Sequence, residues 1–182
     1  MKLMIASDIH GSAFYCSKLL EALEREGADR LLLLGDILYH GPRNALPQGY
    51  APKETAEMLN GIKQKIFCIR GNCDAEVDQM MLEFSIMSDF CVLALGRRLI
   101  YATHGHRYSL ASPPPLQRGD ILLHGHTHVP TWERFGKDNI CLNPGSVSIP
   151  KDGSERGYML LEGDTAQWKT LDGSVCHSES LG

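Results

Sequence analysis

Residues 2–10 read KLMIASDIH, a short apolar run that ends in an aspartate and a histidine two positions apart. An uninterrupted run of this kind is typical of a strand that is buried on both faces. A helix is predicted to follow from Ser12, which can cap its first turn, to Gly27, which can end it. A second buried run, Leu31–Leu34, ends at Gly35-Asp36. The order strand, helix, strand predicts an α/β fold.

The later part of the chain is mostly strand-like. Prolines and glycines mark residues 40–52 as a long loop, a helix is predicted from Pro52 towards Ile62, and a third strand at Ile66–Ile69. A short helix is predicted near residues 76–83. Apolar runs joined by glycine-containing turns then predict three hairpins: Cys91–Leu95 with Leu99–Thr103, Thr131–Phe135 with Asn139–Leu142, and Tyr158–Glu162 with Ala166–Leu171. This pattern predicts an α/β sandwich with two sheets, in a single domain over residues 1–182.

The composition excludes several classes of protein. A chain of 182 residues with 43% apolar residues can bury an ordinary core, so a disordered polymer is excluded. Eighteen basic against 22 acidic residues give a net charge of −4, which argues against stable nucleic-acid binding. The longest apolar run, Phe90–Leu95, is far shorter than the ~20 residues of a membrane-spanning helix. The absence of a signal-type apolar segment and six scattered cysteines, expected to be reduced, predict a cytoplasmic protein.

Five short polar motifs follow the apolar runs. Because ligands gather beyond the carboxyl ends of strands in α/β sheets, we expect these motifs to converge. Their carboxylate, imidazole and amide donors suit Mn, Fe, Zn, Ni or Co, and seven such ligands suit two ions that share a carboxylate. Neighbouring glycines would let the backbone turn sharply and approach the ions. The motifs are Asp8-x-His10, Gly35-Asp36, Gly71-Asn72-Cys73-Asp74, His104-Gly105-His106 and Gly125-His126-Thr127-His128.

The order of these motifs resembles the calcineurin-like metallophosphoesterases, over a region from Asp8 to about Ser146. The loop HGPRNALP at residues 40–47, with residues 71–74 and 143–146, resembles more narrowly the YfcE-type bacterial phosphodiesterases. The resemblance implies a four-layer αββα sandwich with two mixed sheets. It also implies two divalent ions, most often Mn²⁺, with Ni, Co, Fe or Zn as alternatives, and hydrolysis of phosphate esters.

The same resemblance assigns the ligands to two ions. Two ions ~3.5–4 Å apart clamp the phosphoryl oxygens and acidify a bound water, so that a metal-bound hydroxide can attack phosphorus. Two divalent ions and two carboxylates leave the pocket at +2, which attracts phosphate to a protein of net negative charge. By the resemblance, Asp8, His10 and His128 hold the first ion, Asn72, His104 and His126 hold the second, and Asp36 bridges them.

One position departs from the family pattern. Many relatives carry histidine directly after the asparagine of the third motif, where it is thought to protonate the leaving oxygen, whereas this chain has Cys73. A thiol is a poor proton donor beside an anionic substrate. His106 and Asp74 are therefore the candidate catalytic residues, with water as an alternative, and leaving groups of low pKa need no acid. Cys73 and Arg43 are predicted to line the substrate pocket.

These residues predict a metal-dependent phosphodiesterase for small phosphodiester substrates. A phosphomonoesterase or protein phosphatase is the close alternative, because it needs the same metal centre. A non-catalytic scaffold is the alternative from another class, because the retromer subunit Vps29 resembles this fold after losing parts of the metal site. This chain keeps all seven ligands, which favours an enzyme. Exposed strands in the later hairpins are compatible with a homo-oligomer, a dimer or a tetramer.

Overall fold

The computed structural model describes residues 1–182 and contains three α-helices and eleven strands. The helices are α1 (Ala13–Glu26), α2 (Pro52–Gly61) and α3 (Glu76–Gln79), and a 3-10 turn covers Lys63–Lys65. The strands are β1 (Lys2–Ala6), β2 (Arg30–Leu33), β3 (Ile66–Cys68), β4 (Phe90–Leu95), β5 (Arg98–Thr103), β6 (Ile121–Leu123), β7 (Thr131–Phe135), β8 (Asn139–Asn143), β9 (Gly157–Glu162), β10 (Thr165–Thr170) and β11 (Val175–Ser180). None of the helices is long and apolar enough to cross a membrane.

The strands form two mixed sheets, as predicted. The first sheet has the order β11-β10-β9-β1-β2-β3, with β1, β2 and β3 parallel and the other neighbours antiparallel. The second has the order β4-β5-β6-β8-β7, with β5, β6 and β8 parallel. The carboxyl ends of all six parallel strands carry the loops that hold the predicted site.

Alternating side chains of the first sheet build two apolar cores. Met4 and Leu31 belong to the cluster that joins the outer face to helices α1 and α2. Their neighbours Ile5 and Leu32 belong to the cluster between the two sheets, with side chains of the second sheet such as Ile121. The strands β1 and β2 are therefore buried on both faces, which explains why they consist almost entirely of apolar residues.

The predicted fold class, an α/β sandwich with two mixed sheets, is confirmed. All helices lie between residues 13 and 79, before the strands of the second sheet. An irregular segment, residues 104–120, connects β5 to β6, and its Tyr108 packs edge-on against Tyr101 of β5. Three consecutive prolines, residues 113–115, explain the absence of a helix there, because proline removes a backbone donor and clashes with the preceding turn.

The strand β11 was not predicted from the sequence. Its residues are largely polar, four of the six are exposed and the other two are half-buried, so the apolar pattern of a strand is missing. The strand is held by pairing with β10 and by contacts to β7 of the other sheet. His177 stacks on Trp132 with ring centroids 4.0 Å apart, and Arg134 forms an ion pair with Glu179 at 3.1 Å. These contacts join the two sheets at one side.

Candidate metal centre

The five predicted motifs meet at the carboxyl ends of the parallel strands. Hydrogen bonds cross between the sheets at this point. The backbone N–H of His126, after β6, donates to Asp8 Oδ2 at 3.0 Å, and His104 Nδ1, after β5, donates to the carbonyl oxygen of Leu34 at 2.6 Å. The convergence that the strand order predicted is therefore confirmed.

The first group of donor atoms comes from Asp8, His10 and His128, whose ligating atoms all lie within 4.8 Å of one another. Asp8 Oδ1 lies 3.4 Å from His10 Nε2 and 3.1 Å from His128 Nε2. The two Nε2 atoms are 3.3 Å apart. All three side chains are buried.

Backbone carbonyls fix which nitrogen of each histidine faces this group. His10 Nδ1 donates to the carbonyl oxygen of Tyr39 at 2.8 Å, and His128 Nδ1 donates to that of Ile149 at 2.7 Å. A carbonyl only accepts, so Nδ1 carries the hydrogen and each neutral ring presents the Nε2 lone pair to its neighbour. Two lone pairs at 3.3 Å repel each other unless a cation lies between or beside them. Such backbone contacts are the usual way in which ligating imidazoles are oriented.

The second group comes from Asp36, His104 and His126, with Asn72 beside them. His104 Nε2 lies 3.5 Å from Asp36 Oδ2, 3.0 Å from Asn72 Oδ1 and 3.2 Å from His126 Nδ1. Asp36 Oδ2 is also 3.7 Å from His10 Nε2 of the first group. One carboxylate oxygen therefore lies between the two groups, where a shared ligand is needed.

A buried oxygen without a partner supports a cation in the first group. Asp8 Oδ1 is completely buried and accepts no hydrogen bond, whereas Asp8 Oδ2 accepts from Ser7 Oγ at 2.6 Å. An unpaired buried carboxylate oxygen is costly unless a cation or donor meets it. The donor set of oxygen and imidazole nitrogen suits divalent transition ions. The residues present therefore fit such an ion.

The backbone at the site is strained. Only seven non-glycine residues have a positive φ, and five of them are candidate ligands: Asp8, His10, Asp36, His126 and His128. Left-handed backbone costs a residue with a Cβ roughly 1–3 kcal/mol, and such strain concentrates at functional sites. The feature was not predicted from the sequence: aspartate and histidine are enriched at positive φ, but most of them in proteins have a negative φ.

Glycines allow the loops to touch through their backbones. A Cβ on Gly71 would lie 2.1 Å from Asp36 Oδ1, and a Cβ on Gly125 would lie 1.9 Å from Ser7 Oγ. These glycines let the loops after β3 and β6 contact the loops after β2 and β1, respectively.

We expect Gly71→Ala to lower the affinity for divalent ions at least about tenfold, because the added methyl group must displace the Asp36 carboxylate. Titration calorimetry with Mn²⁺ measures the change. The control is Gly61→Ala at the end of α2, where a Cβ meets nothing within 4 Å. Equal affinities in the two variants would contradict the expectation.

Charge pairing controls the protonation of the site in the metal-free protein. Burial opposes the charged form of His104, but the hydrogen bond to Asp36 and the charges of Asp8 and Asp36 raise its pKa to about 9. Burial also opposes the charged form of Asp8, yet the adjacent imidazoles of His10 and His128 hold its pKa well below the usual range. Burial and the charge of His104 lower the pKa of His126 to about 4. A protonated His104 thus supplies positive charge in the metal-free site.

We expect metal binding near pH 7.5 to release at least one proton per chain, because His104 must lose its proton to become a ligand. Because the pKa of His104 is about 9, removing its proton costs free energy at lower pH. Metal affinity should therefore rise as the pH approaches 9. Calorimetry in two buffers of different ionisation enthalpy counts the protons. Identical heats in both buffers would contradict this expectation.

Comparison with known proteins agrees with this geometry. The sequence profile described as the calcineurin-like phosphoesterase superfamily domain matches residues 1–166. The chain belongs to the calcineurin-like phosphoesterase superfamily. It is therefore an enzyme of the phosphoesterase class, and the predicted family is confirmed.

Individual relatives place the chain within the superfamily. It is 48% identical over 164 residues to Phosphodiesterase YfcE of Escherichia coli strain K12, covering 90% of this chain and 89% of that protein. The solved structure of YfcE, described as a phosphoesterase from E. coli, superposes with a TM-score of 0.95 at 44% identity over the full length of both chains. Vps29 of Entamoeba histolytica, solved with Zn²⁺, has a TM-score of 0.64 at 23% identity over the full length of both chains, which shows the shared fold alone.

Asp74 contacts backbone groups rather than the open side of the site. Its carboxylate accepts hydrogen bonds from the N–H groups of Asp36 and Ile37, both at 2.8 Å, and from Gly71 N at 2.7 Å. The side chain is buried. The predicted role of Asp74 in proton transfer stays a prediction, and these contacts do not point to it. They instead join the loop after β2 to the loop after β3 in this phosphoesterase.

His106 lies near the second group but outside the cleft. Its ring centroid is 5.5 Å from that of His104 and 6.4 Å from that of His126, and the residue is exposed. Partial burial of the ring, together with the charges of His104 and Arg107, lowers the pKa of His106, so the neutral form predominates at pH 7. The catalytic role of His106 stays a prediction.

A cleft of about 440 Å³ opens beside the two groups. The predicted pocket residues Cys73 and Arg43 both line it, and Asp36, His126 and His128 reach it from the metal centre. Burial and the charge of Asp36 raise the pKa of Cys73, so this side chain remains a thiol. Lys151 also lines the cleft and was missed in the sequence, where nothing distinguishes it from other surface lysines.

Proposed function

We propose that this phosphoesterase is a phosphodiesterase for small substrates that works with two divalent ions. One ion would be held by Asp8, His10 and His128. The other would be held by Asn72, His104 and His126, and Asp36 would bind both ions. The observation that carries the proposal is the position of Asp36 Oδ2, 3.7 Å from His10 Nε2 and 3.5 Å from His104 Nε2. The 48% identity to a protein described as a phosphodiesterase supports the same conclusion.

When bound, two divalent ions, with Mn²⁺ as the first choice, would neutralise phosphate charge and lower the pKa of water. The chain contributes orientation and charge balance. Asp8 and Asp36 remain carboxylates, because the neighbouring imidazoles outweigh their burial and lower the pKa of each. The neutral amide of Asn72 leaves more positive charge for the substrate than a third carboxylate would.

The contacts of Asp74 support a positioning role. By holding three N–H groups of two loops, Asp74 would keep Asp36 between the two groups of donors. Neither Cys73, whose pKa is raised, nor His106, which does not line the cleft, is suited to protonate the leaving group. We therefore expect substrates with leaving groups of low pKa to react fastest.

The test compares bis(p-nitrophenyl) phosphate with p-nitrophenyl phosphate. The protein is stripped with a chelator and reloaded separately with Mn²⁺, Ni²⁺, Zn²⁺ or Mg²⁺. We expect the diester to have the higher kcat/KM with Mn²⁺. A preference for the monoester would overturn the diester assignment and favour the phosphomonoesterase alternative. No hydrolysis of either ester with any metal would overturn the metal-dependent activity. The cytoplasmic location and the homo-oligomer stay predictions.

A further inference from the structure

The cleft is larger than one phosphate group requires. Its volume of about 440 Å³ lies within the ~300–1,000 Å³ of sites that enclose a whole small molecule. Four candidate metal ligands line part of the cleft: Asp36, Asn72, His126 and His128. Arg43 and Lys151 also line the cleft but belong to neither group of donors. The cleft therefore provides surface for a part of the substrate beyond the reacting phosphate.

The loops that carry the two cations are both attached to the first group of donors. The carbonyl of Tyr39, four residues before Arg43, accepts from His10, and the carbonyl of Ile149, two residues before Lys151, accepts from His128. Lys151 N also donates to the carbonyl oxygen of His128 at 3.2 Å. These bonds hold both loops beside the metal centre, and both cations line the cleft that the candidate ligands share.

Neither cation has an acidic partner. Arg43 and Lys151 form no ion pair within 4.0 Å, whereas other surface arginines such as Arg107 do. The only carboxylate that lines the cleft is Asp36, whose Oδ2 already lies beside His10 and His104. Two divalent ions with Asp8 and Asp36 already leave a charge of +2, more than a diester of charge −1 neutralises. Arg43 and Lys151 add further positive charge, which matches a substrate with an additional phosphate.

We propose that Lys151 and Arg43 bind a second phosphoryl group, and that the preferred substrates are organic diphosphates in which a pyrophosphate joins two alcohol-derived groups. The proposal rests on the proposed phosphodiesterase function and names its substrate class. A water oxygen would bond to the phosphorus at the metal centre, and the bond from that phosphorus to the bridging oxygen would break. The bridging oxygen leaves with the second phosphate, and the water protons pass to solvent. The products are two phosphomonoesters, and no reactant besides water is needed.

The test uses two dinucleotides that differ by one phosphate, diadenosine 5′,5′-diphosphate and adenylyl-(3′→5′)-adenosine. In the Mn²⁺-loaded protein, Lys151→Ala should lower kcat/KM for the diphosphate about tenfold, the loss of one charge-assisted hydrogen bond. The loss for the monophosphate-linked dinucleotide should be at least fivefold smaller. Arg43→Ala should also lower kcat/KM more for the diphosphate than for the monophosphate-linked dinucleotide. Lys151→Arg should retain most of the parent protein's preference for the diphosphate.

Binding provides a readout that does not depend on turnover. The methylene-bridged analogue of diadenosine diphosphate cannot be cleaved at its bridge, and Lys151→Ala should raise its Kd about tenfold by titration calorimetry. The matched control is Lys137→Ala, which removes another exposed lysine without an ion pair, in the turn between β7 and β8. It should change neither the Kd nor the ratio of the two kcat/KM values.

Two different failures can be told apart. If the parent protein hydrolyses bis(p-nitrophenyl) phosphate but Lys151→Ala and Arg43→Ala leave the ratio of the two dinucleotides unaltered, the second phosphate site is overturned and the phosphodiesterase function stands. An equal loss of kcat/KM for both dinucleotides also overturns the second phosphate site. If the Mn²⁺-loaded parent hydrolyses none of the three compounds, the proposed function itself fails.

Discussion

Asp36→Asn is expected to lower kcat for a phosphodiester at least about a thousandfold. In the parent protein, Asp36 Oδ1 accepts a hydrogen bond from Cys73 N at 2.8 Å, and the amide oxygen of asparagine can accept the same bond. The substitution therefore keeps the size of the side chain but removes the negative charge between the two groups of donors. Loss of a residue that only supports a metal ligand already lowers metal affinity or activity ~10–100-fold. The loss should be larger here, because Asp36 would bind two ions at once. Asparagine tolerates the positive φ of 56° at this position, so the fold should survive.

The matched control is Asp152→Asn, because Asp152 is exposed and also has a positive φ, 53°, but belongs to neither group of donors. Steady-state kinetics with bis(p-nitrophenyl) phosphate and circular dichroism are measured on both variants. Asp152→Asn should retain the parent kcat. Retention of more than a tenth of the parent activity in a folded Asp36→Asn protein would show that Asp36 is not a shared ligand.

Asp74→Ala is expected to lower the free energy of unfolding of the metal-free protein by at least about 3 kcal/mol. The change leaves the N–H groups of Asp36, Ile37 and Gly71 without their acceptor in a buried place, and each unpaired donor costs ~1–3 kcal/mol. Urea denaturation measures the difference. The same variant should bind Mn²⁺ more weakly, because the loops after β2 and β3 lose their connection.

The control for Asp74→Ala is Asp89→Ala. Asp89 is an exposed carboxylate whose side chain pairs with Arg107 at 2.6 Å, and a surface pair of this kind contributes only ~0–1 kcal/mol. A decrease in stability of similar size in both variants would mean that the three backbone contacts of Asp74 carry little free energy. Asp74→Asn, which keeps one acceptor oxygen, should fall between the parent and Asp74→Ala.

The parts of the fold that the sequence predicted are those with strong apolar patterning. β1 and the hairpin of β9 and β10 were predicted to within a residue or two, because their apolar side chains fill the two cores. β11 was missed because its stability comes from pairing with β10 and from the stack of His177 on Trp132, which are contacts between distant segments. The connection between β5 and β6 is irregular, and the three prolines of residues 113–115 explain why it contains no helix.

The convergence of the motifs was predictable, whereas the groups that orient them were not. Parallel strand order places Asp8 and Asp36 at one edge of the sheet whatever the loops contain. The carbonyls of Tyr39 and Ile149 orient two histidines, but every residue has a carbonyl, so the sequence carries no signal for them. The use of Asp74 as a backbone acceptor likewise depends on how two loops fold together.

The most direct measurement is an anomalous difference map from crystals soaked in Mn²⁺, recorded at the manganese absorption edge. Two peaks ~3.5–4 Å apart are expected, one on each side of Asp36 Oδ2. The first should contact Asp8, His10 and His128, and the second Asn72, His104 and His126. A single peak, or peaks that do not contact Asp36, would contradict a shared carboxylate and the two-ion phosphodiesterase built on it.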